Sequence, residues 1–253
     1  MYEGYNRVAG SAGGVAEEIV GSAIHGMARG SVIVSTKVGM KVGNEPEDEG
    51  TSAKAIEKQL NASLKRLKTD YIDLYYLHRF DGNIPAEEIL RALQKAVFAG
   101  KIRYYGVSNY SAEQLRALLN AADELNLPRP VVCQPPLSML KQDALTELIP
   151  LCAAEDIAVI PYQIYQGGLL TGKYKRGMEP AKGSRAEEKP AWLASPVDTL
   201  YDKLEAIESA AKAHGISMSA YALRWTLEQP AVVSAIVGVK SEKQLDDAVA
   251  AVG

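Results

Sequence analysis

The feature of this sequence that most constrains its fold is a regular alternation of short apolar runs with longer segments of helical periodicity. The apolar runs are rich in β-branched and aromatic residues and predict six strands, at residues 31–39, 71–80, 102–109, 131–138, 157–163 and 233–240. The segments between them predict helices at residues 15–29, 52–68, 86–99, 111–125, 141–155, 198–214, 217–229 and 241–252. Almost wholly apolar strands separated by helices indicate a parallel sheet that is covered on both faces.

Polar residues at the predicted strand ends favour one of the two architectures that such a sheet can take. They lie at the C-terminal ends of all six strands, as Lys37, His78, Ser108 with Asn109, Gln134, Tyr162 with Gln163, and Lys240. An α/β TIM barrel, (β/α)8, gathers the ends of all its strands around one site, whereas an open doubly wound sheet binds ligands at one switch point. The sequence therefore predicts a single barrel domain over residues 1–253. Only about six of the eight strands are present, so the barrel is expected to be incomplete, with its N-terminal portion missing.

Composition excludes several classes of function. The chain has 28 basic and 31 acidic residues in 253, a net charge of −3, and no sustained basic block, so nucleic acid is not an expected partner. No apolar run approaches the ~18 residues of a membrane span, and the first ten residues do not resemble a secretion signal, which predicts a cytoplasmic protein without a membrane partner. Cys133 and Cys152 have neither a zinc-ligand nor a disulfide spacing, so no metal is expected.

A glycine-rich segment at residues 167–174 matches the spacing of a phosphate-binding P-loop, GxxxxGK. The match is imperfect, because Tyr174 stands where a P-loop has the Ser or Thr that binds Mg²⁺. No GxGxxG follows a strand either, which argues against a Rossmann dinucleotide site. An NTPase thus remains a weak alternative.

Lys37 and His78 form a more informative pair. A lysine at the end of a buried strand is expected to be partly desolvated, and an ammonium group beside a phenol would lower the pKa of that phenol. His78 lies at the end of a strand that is otherwise apolar, so its ring could donate a hydrogen bond to a substrate oxygen. Each residue taken alone could equally be structural.

Seven motifs together resemble the aldo-keto reductase family over essentially the whole chain. In order they are AEEIVGSAI (16–24), VIVSTKVG (32–39), TDYIDLYYLHRFD (69–81), KIRYYGVSNYSAEQL (101–115), QPPLSML (134–140), IPYQIYQGGLLTGKY (160–174) and IVGVKSEKQLDD (236–247). The resemblance is to the branch that includes bacterial reductases and the β-subunits of potassium channels. It implies NADPH-dependent reduction of an aldehyde or ketone to an alcohol, on a (β/α)8 barrel of the aldo-keto reductase type.

The family's catalytic set of Asp, Tyr, Lys and His is matched in part. By motif, Lys37 is the lysine, His78 the histidine and Tyr2 the tyrosine that donates a proton, with Tyr5 as the alternative. The aspartate would precede Met1, as would the family's first strand and first helix. The resemblance therefore implies that the chain is a fragment or begins inside a longer reading frame, and that Lys37 lacks a counter-charge.

The resemblance also implies a set of cofactor-binding residues. Ser108, Asn109 and Gln134 would bind the nicotinamide carboxamide, and Tyr162 would stack on the nicotinamide ring. The loop around the pyrophosphate would include Gln163, Gly167 and Leu169. At the start of the last helix, Gly238, Lys240, Gln244 and Asp247 would hold the adenosine end, where a cation favours the extra phosphate of NADPH.

Two further expectations follow from the sequence. A cofactor-binding regulatory or partner module with little or no turnover is the main alternative to a reductase, because the channel-associated relatives share the motifs. Four tyrosines are expected to be core residues, with one of each neighbouring pair on either face of the sheet, namely Tyr75, Tyr76, Tyr104 and Tyr105.

Overall fold

The computed structural model describes residues 14–180, 182–188 and 197–252. Tyr2 and Tyr5, the two candidates for the proton donor, lie outside the described residues. The chain divides into two compact units, Met1–Gln134 and Pro135–Gly253, each of which is described by itself. No helix within the described ranges is long and apolar enough to cross a membrane.

The first unit alternates helices with parallel strands. In chain order its elements are α1 (Val15–Ala23), β1 (Ser35–Val38), α2 (Ala53–Leu67), β2 (Ile72–Leu77), α3 (Ala86–Phe98), β3 (Ile102–Ser108), α4 (Ala112–Glu124) and β4 (Val132–Gln134). Each strand pairs in parallel with the one before it, so the spatial order follows the chain order. A capping box at Ser111 and Gln114 begins α4, because each side chain accepts a hydrogen bond from the other residue's backbone N–H. The predicted strand–helix alternation is thereby confirmed.

Strand register places neighbouring tyrosines of β2 on opposite faces of the sheet. Tyr76 lies between Lys37 of β1 and Gly106 of β3. Tyr75 lies on the other side, where it interacts electrostatically with Glu17 and Arg66 of the helical layer. Both tyrosines are at most 1% exposed. The face that carries Lys37 and Tyr76 is called the Lys37 face below.

One of the four tyrosine predictions is wrong. Tyr104 is 56% exposed, while Tyr75, Tyr76 and Tyr105 are buried. Tyr104 lies on the Lys37 face in a row with Leu74, and this row is closer to the amino ends of the strands than Tyr76. On the Lys37 face, the residues near the carboxyl ends of the strands are buried. Tyr104 lies nearer the amino ends, where the described residues do not cover it.

The amino ends of β1, β2 and β3 are joined by a cluster of charged and aromatic side chains. The guanidinium groups of Arg29 and Arg103 lie 4.0 and 4.2 Å from the ring centroid of Tyr71. Asp73 accepts a hydrogen bond from Arg29 at 2.7 Å and one from the Val34 backbone N–H at 2.9 Å. Because these contacts link three strands, this amino-end cluster helps to fix their register.

The described residues of the second unit form one short strand and several helices. Its elements are α5 (Leu148–Ala154), β5 (Ala158–Val159), α6 (Arg185–Glu188), α7 (Asp198–Ala213), α8 (Met218–Leu227) and α9 (Glu242–Ala250), with 3-10 segments at Asp143–Leu145 and Gln166–Thr171. The predicted helix at 141–155 is divided, because Pro150 has no N–H to continue it and sits instead in the first turn of α5.

Strand structure in the second unit is shorter than predicted. The segment predicted as a strand at 157–163 is regular only at Ala158–Val159 and is followed by Pro161, which cannot donate to a ladder. The segment predicted as a strand at 233–240 does not form a regular strand, although it lies alongside β5. The Val233 N–H donates to the Val159 carbonyl at 3.1 Å, and the Ile236 N–H donates to the Pro161 carbonyl at 2.9 Å. Val233 and Ile236 are exposed, so little packing holds this segment in a regular strand.

Candidate functional site

Lys37 and Tyr76 are direct neighbours on the Lys37 face, near the carboxyl ends of β1 and β2. They are paired in register, and the Lys37 Nζ lies 5.3 Å from the centroid of the Tyr76 ring. Lys37 is half-buried, and burial lowers the pKa of its ammonium group below the usual 10.5. Among the residues that the structure describes, its Nζ has neither an ion-pair nor a hydrogen-bond partner.

His78 directly follows β2 and lies close to Lys37. Its backbone N–H donates to the Val38 carbonyl at 2.9 Å, which continues the pairing of β1 with β2. Burial, with the nearby charges of Lys37 and Arg79, lowers the pKa of the imidazole to about 4. His78 is therefore neutral near pH 7, with one ring nitrogen as a hydrogen-bond donor and the other as an acceptor.

The lowered pKa of His78 predicts a specific loss of stability in acid. An unfolded histidine has a pKa of about 6.5, so between pH 6.5 and about 4 the unfolded chain binds a proton that folded His78 does not. Stability therefore falls as the pH decreases through this range. We expect the free energy of unfolding of the wild type to fall by about 1–2 kcal/mol more than that of His78→Gln between pH 7 and 4.5, allowing for partial exposure. Urea unfolding at each pH measures the difference, and parallel pH curves would contradict the assignment.

A chain of hydrogen bonds connects the carboxyl ends of β2, β3 and β4. The Asn109 amide donates to the His78 carbonyl at 2.9 Å and to the Ser108 Oγ at 3.1 Å. Ser108 in turn donates to the Gln134 carbonyl at 2.9 Å. Asn109 has a φ of 57°, a left-handed conformation that asparagine tolerates better than most residues. This conformation directs the chain away from β3 while the side chain stays bonded to the strand ends.

The three residues predicted to bind the carboxamide differ in accessibility. Ser108 and Gln134 are 1% and 4% exposed, whereas Asn109 is exposed. The Gln134 side chain is also hydrogen-bonded to the hydroxyl of Tyr76, whose pKa burial raises to about 12. The structure thus brings Ser108, Asn109 and Gln134 together with Lys37 and His78, and Asn109 is the outermost of the three.

A cavity of about 400 Å³ adjoins Gly39 and the residues that follow His78. Its polar lining includes Arg79, which pairs with Glu49 at 2.7 Å, and Asp81, which accepts hydrogen bonds from the backbone and hydroxyl of Thr51. Arg79 and Asp81 are not among the candidate site residues that the sequence predicts. Their position immediately after an apolar strand, in LHRFD, is the signal that could have identified them.

The second unit contains the other predicted cofactor residues, the first group of which follows β5. Tyr162 is half-buried and its backbone pairs with Pro135 and Leu137. Gln163 is exposed with a φ of 60°, and Gly167 has a φ of 68° in a kinked 3-10 segment. Leu169 is 5% exposed in an apolar cluster with Leu170 and Tyr174, so its side chain has a structural role and only its backbone is available to a ligand.

The last group of predicted residues surrounds the start of α9. Ser241 caps the helix, and the Gln244 side chain accepts a hydrogen bond from the Lys240 N–H at 2.8 Å. The Lys240 Nζ donates to the Gly183 carbonyl at 3.1 Å and lies 3.5 Å from Glu188. Asp247 is exposed and lies 3.5 Å from Lys243, and Gly238 has open space around it. Lys240 and Gln244 are therefore brought together, while Asp247 faces solvent one turn further along.

Comparison with known sequences identifies the family. Residues 5–253 match the Aldo/keto reductase family. The chain belongs to this family. The aldo/keto reductase fold is a (β/α)8 barrel, and the parallel strands and alternating helices of the described residues agree with it. The predicted resemblance and fold class are thereby confirmed.

Relatives within the family have names that describe different functions. The chain is 37% identical to a probable voltage-gated potassium channel subunit beta of Arabidopsis thaliana, over 95% of this chain and 75% of that protein. It is 32% identical to an L-glyceraldehyde 3-phosphate reductase of Escherichia coli, over 88% of this chain and 65% of that protein. It is 33% identical to the aldo-keto reductase yakc [NADP(+)] of Schizosaccharomyces pombe, over 87% of this chain and 64% of that protein. Oxidoreductase activity is thus supported by membership of an aldo/keto reductase family with reductase relatives.

Proposed function

We propose that this protein is an NADPH-dependent oxidoreductase that reduces a small aldehyde or ketone to an alcohol. The observation that carries the proposal is the pairing of a half-buried lysine with a neutral histidine at the carboxyl ends of adjacent parallel strands. In barrels of this class the active site lies at that end of the strands.

Each residue of the proposed site has a chemical role that its surroundings support. His78, being neutral, would donate a hydrogen bond to the carbonyl oxygen and orient it. In its ammonium form, Lys37 would stabilise the anion of a nearby tyrosine and so make that phenol a better acid. Tyr2 is the proposed proton donor, with Tyr5 as the alternative, on the strength of the sequence motif alone.

The residues present fit nicotinamide adenine dinucleotide phosphate. Ser108, Asn109 and Gln134 form a hydroxyl and amide cluster next to His78, which suits a carboxamide. At the start of α9, the exposed Lys240 and the backbone N–H groups of the first turn suit a phosphate. When bound, NADPH supplies the hydride that reduces the carbonyl carbon.

A binding titration tests the cofactor assignment and its preference for NADPH. Replacing Lys240 with Met removes the cation proposed to bind the additional phosphate, so we expect the Kd for NADPH to rise about tenfold and that for NADH to change less than twofold. Lys243→Met is the matched control, because Lys243 is an exposed lysine on the first turn of the same helix. Fluorescence titration of the wild type and both variants with each cofactor measures the six dissociation constants. An equal loss for NADPH in the two variants would argue against a specific role for Lys240.

The second candidate is a cofactor-binding regulatory subunit with little turnover. It is favoured by the 37% identity to a probable potassium channel subunit beta. Both candidates bind NADPH, so binding does not separate them. Steady reduction of a small aromatic aldehyde with stoichiometric NADPH oxidation would support the reductase, whereas binding followed by at most one turnover would support the regulatory subunit.

A further inference from the structure

We propose that Tyr76 is the positioning residue for Lys37: its ring face holds the Lys37 ammonium group over the carboxyl ends of β1 and β2. The proposal rests on the proposed function for its catalytic meaning, because it concerns the lysine of that site. It assigns a role to a tyrosine that the sequence alone indicates only as a core residue.

The first argument is geometric. Lys37 and Tyr76 are register partners on neighbouring strands, and the Lys37 Nζ is 5.3 Å from the ring centroid. This distance is within the approximately 6 Å over which the negative face of an aromatic ring attracts a cation. The attraction is stronger when water is excluded, and Tyr76 is 1% exposed while Lys37 is half-buried.

The second argument is that the Tyr76 ring is fixed in place on both sides. Its hydroxyl is hydrogen-bonded to the Gln134 side chain two strands away. On the neighbouring strand its register partner is Gly106, where an added Cβ would lie 3.2 Å from Tyr76 Cε1 and 2.4 Å from Val132 Cγ1. Glycine at this position therefore leaves the room that the ring needs, and the ring has a defined orientation towards Lys37.

The third argument concerns the other charged groups around β1. On β2 and just beyond it, His78 is neutral and Arg79 is a cation, so neither offers a counter-charge to Lys37. Carboxylates on the segments around β1 have other partners: Glu17 of α1 binds Thr36 and Arg66, Asp48 binds Lys58, and Glu57 of α2 binds Lys95. Within the described residues, the Tyr76 ring is thus the group that stabilises the charged form of Lys37.

The test changes the electrostatics of the ring while keeping its size. Tyr76 is replaced with Phe and with 3,4,5-trifluorophenylalanine, whose ring has a much weaker negative face. The pKa of Lys37 is followed by NMR in protein labelled with ¹³Cε-lysine, and its signal is identified as the one missing from Lys37→Arg. We expect Tyr76→Phe to keep the wild-type pKa, and the fluorinated ring to lower it by about half a unit to one unit.

Tyr75 provides the matched control. It is an equally buried tyrosine on the same strand and faces the helices, so the same fluorinated residue at position 75 should leave the Lys37 pKa unchanged. An unchanged or raised pKa with the fluorinated ring at 76, or the same fall from position 75, would overturn the proposal. The measurement needs neither cofactor nor turnover. It therefore stands even if the protein proves not to reduce carbonyls, and its failure would leave the proposed reductase activity intact.

Discussion

Replacing Lys37 with Met should lower kcat for carbonyl reduction by about 10²–10⁴-fold, the usual range for loss of assistance to proton transfer. Met has a similar length and no charge, so the variant keeps most of the packing of the side chain on Tyr76. What it removes is the ammonium group that would stabilise a tyrosinate on the reaction path. Rates at saturating substrate and NADPH measure the effect.

Lys41→Met is the control for this prediction, because Lys41 is an exposed lysine four residues further along the same segment. It should retain nearly full activity. Circular dichroism and the NADPH Kd of Lys37→Met should match those of the wild type, which would assign the loss to the chemical step. Full turnover by a folded Lys37→Met would refute the catalytic assignment of this residue.

Replacing Gly106 with Ala should lower the free energy of unfolding by about 2–3 kcal/mol, because extra atoms in a closely packed interior force their neighbours to move. The added Cβ would lie 2.4 Å from both the backbone oxygen and Cγ1 of Val132, the residue that faces Gly106 on β4. A backbone oxygen in a strand cannot rotate away as a side chain can. The pair β3 and β4 must therefore separate locally, or the Tyr76 ring must shift.

Urea unfolding of Gly106→Ala against Gly30→Ala isolates this effect. Gly30 has no heavy atom within 4 Å of the position that a Cβ would take, so its replacement removes a glycine without crowding. We expect the Gly30 variant to remain within about 0.5 kcal/mol of the wild type, as is usual for surface substitutions. Equal stabilities of the two variants would show that β3 and β4 are not as closely packed as described.

The alternation of elements was predictable because it depends on local patterns. The apolar runs at 71–80 and 102–109 became β2 and β3, and Lys37 and His78 were expected at strand ends from their position in those patterns. Strand lengths were less predictable. Pro161 limits β5, and the exposed Val233 and Ile236 leave the last predicted strand irregular, since burial depends on which residues pack around a segment.

Contacts between distant parts of the chain could not be predicted from the sequence alone. The pairing of Lys37 with Tyr76 depends on the register of two strands nearly 40 residues apart, and a shift of one residue would put Tyr75 there instead. The bond from Lys240 to the Gly183 carbonyl likewise joins two segments 57 residues apart. In both cases the sequence shows which residues are present, but tertiary packing determines which of them become partners.

The amino-end cluster of Arg29, Tyr71, Asp73 and Arg103 lies at the opposite end of the strands from Lys37 and His78. Its contacts stabilise the sheet, while the groups proposed for chemistry occupy the carboxyl ends of the same strands. Mutations at the two ends are therefore expected to act independently. A lineage could gain or lose thermal tolerance through the amino-end residues without altering its reaction, and could change its substrate without giving up the robustness of the sheet.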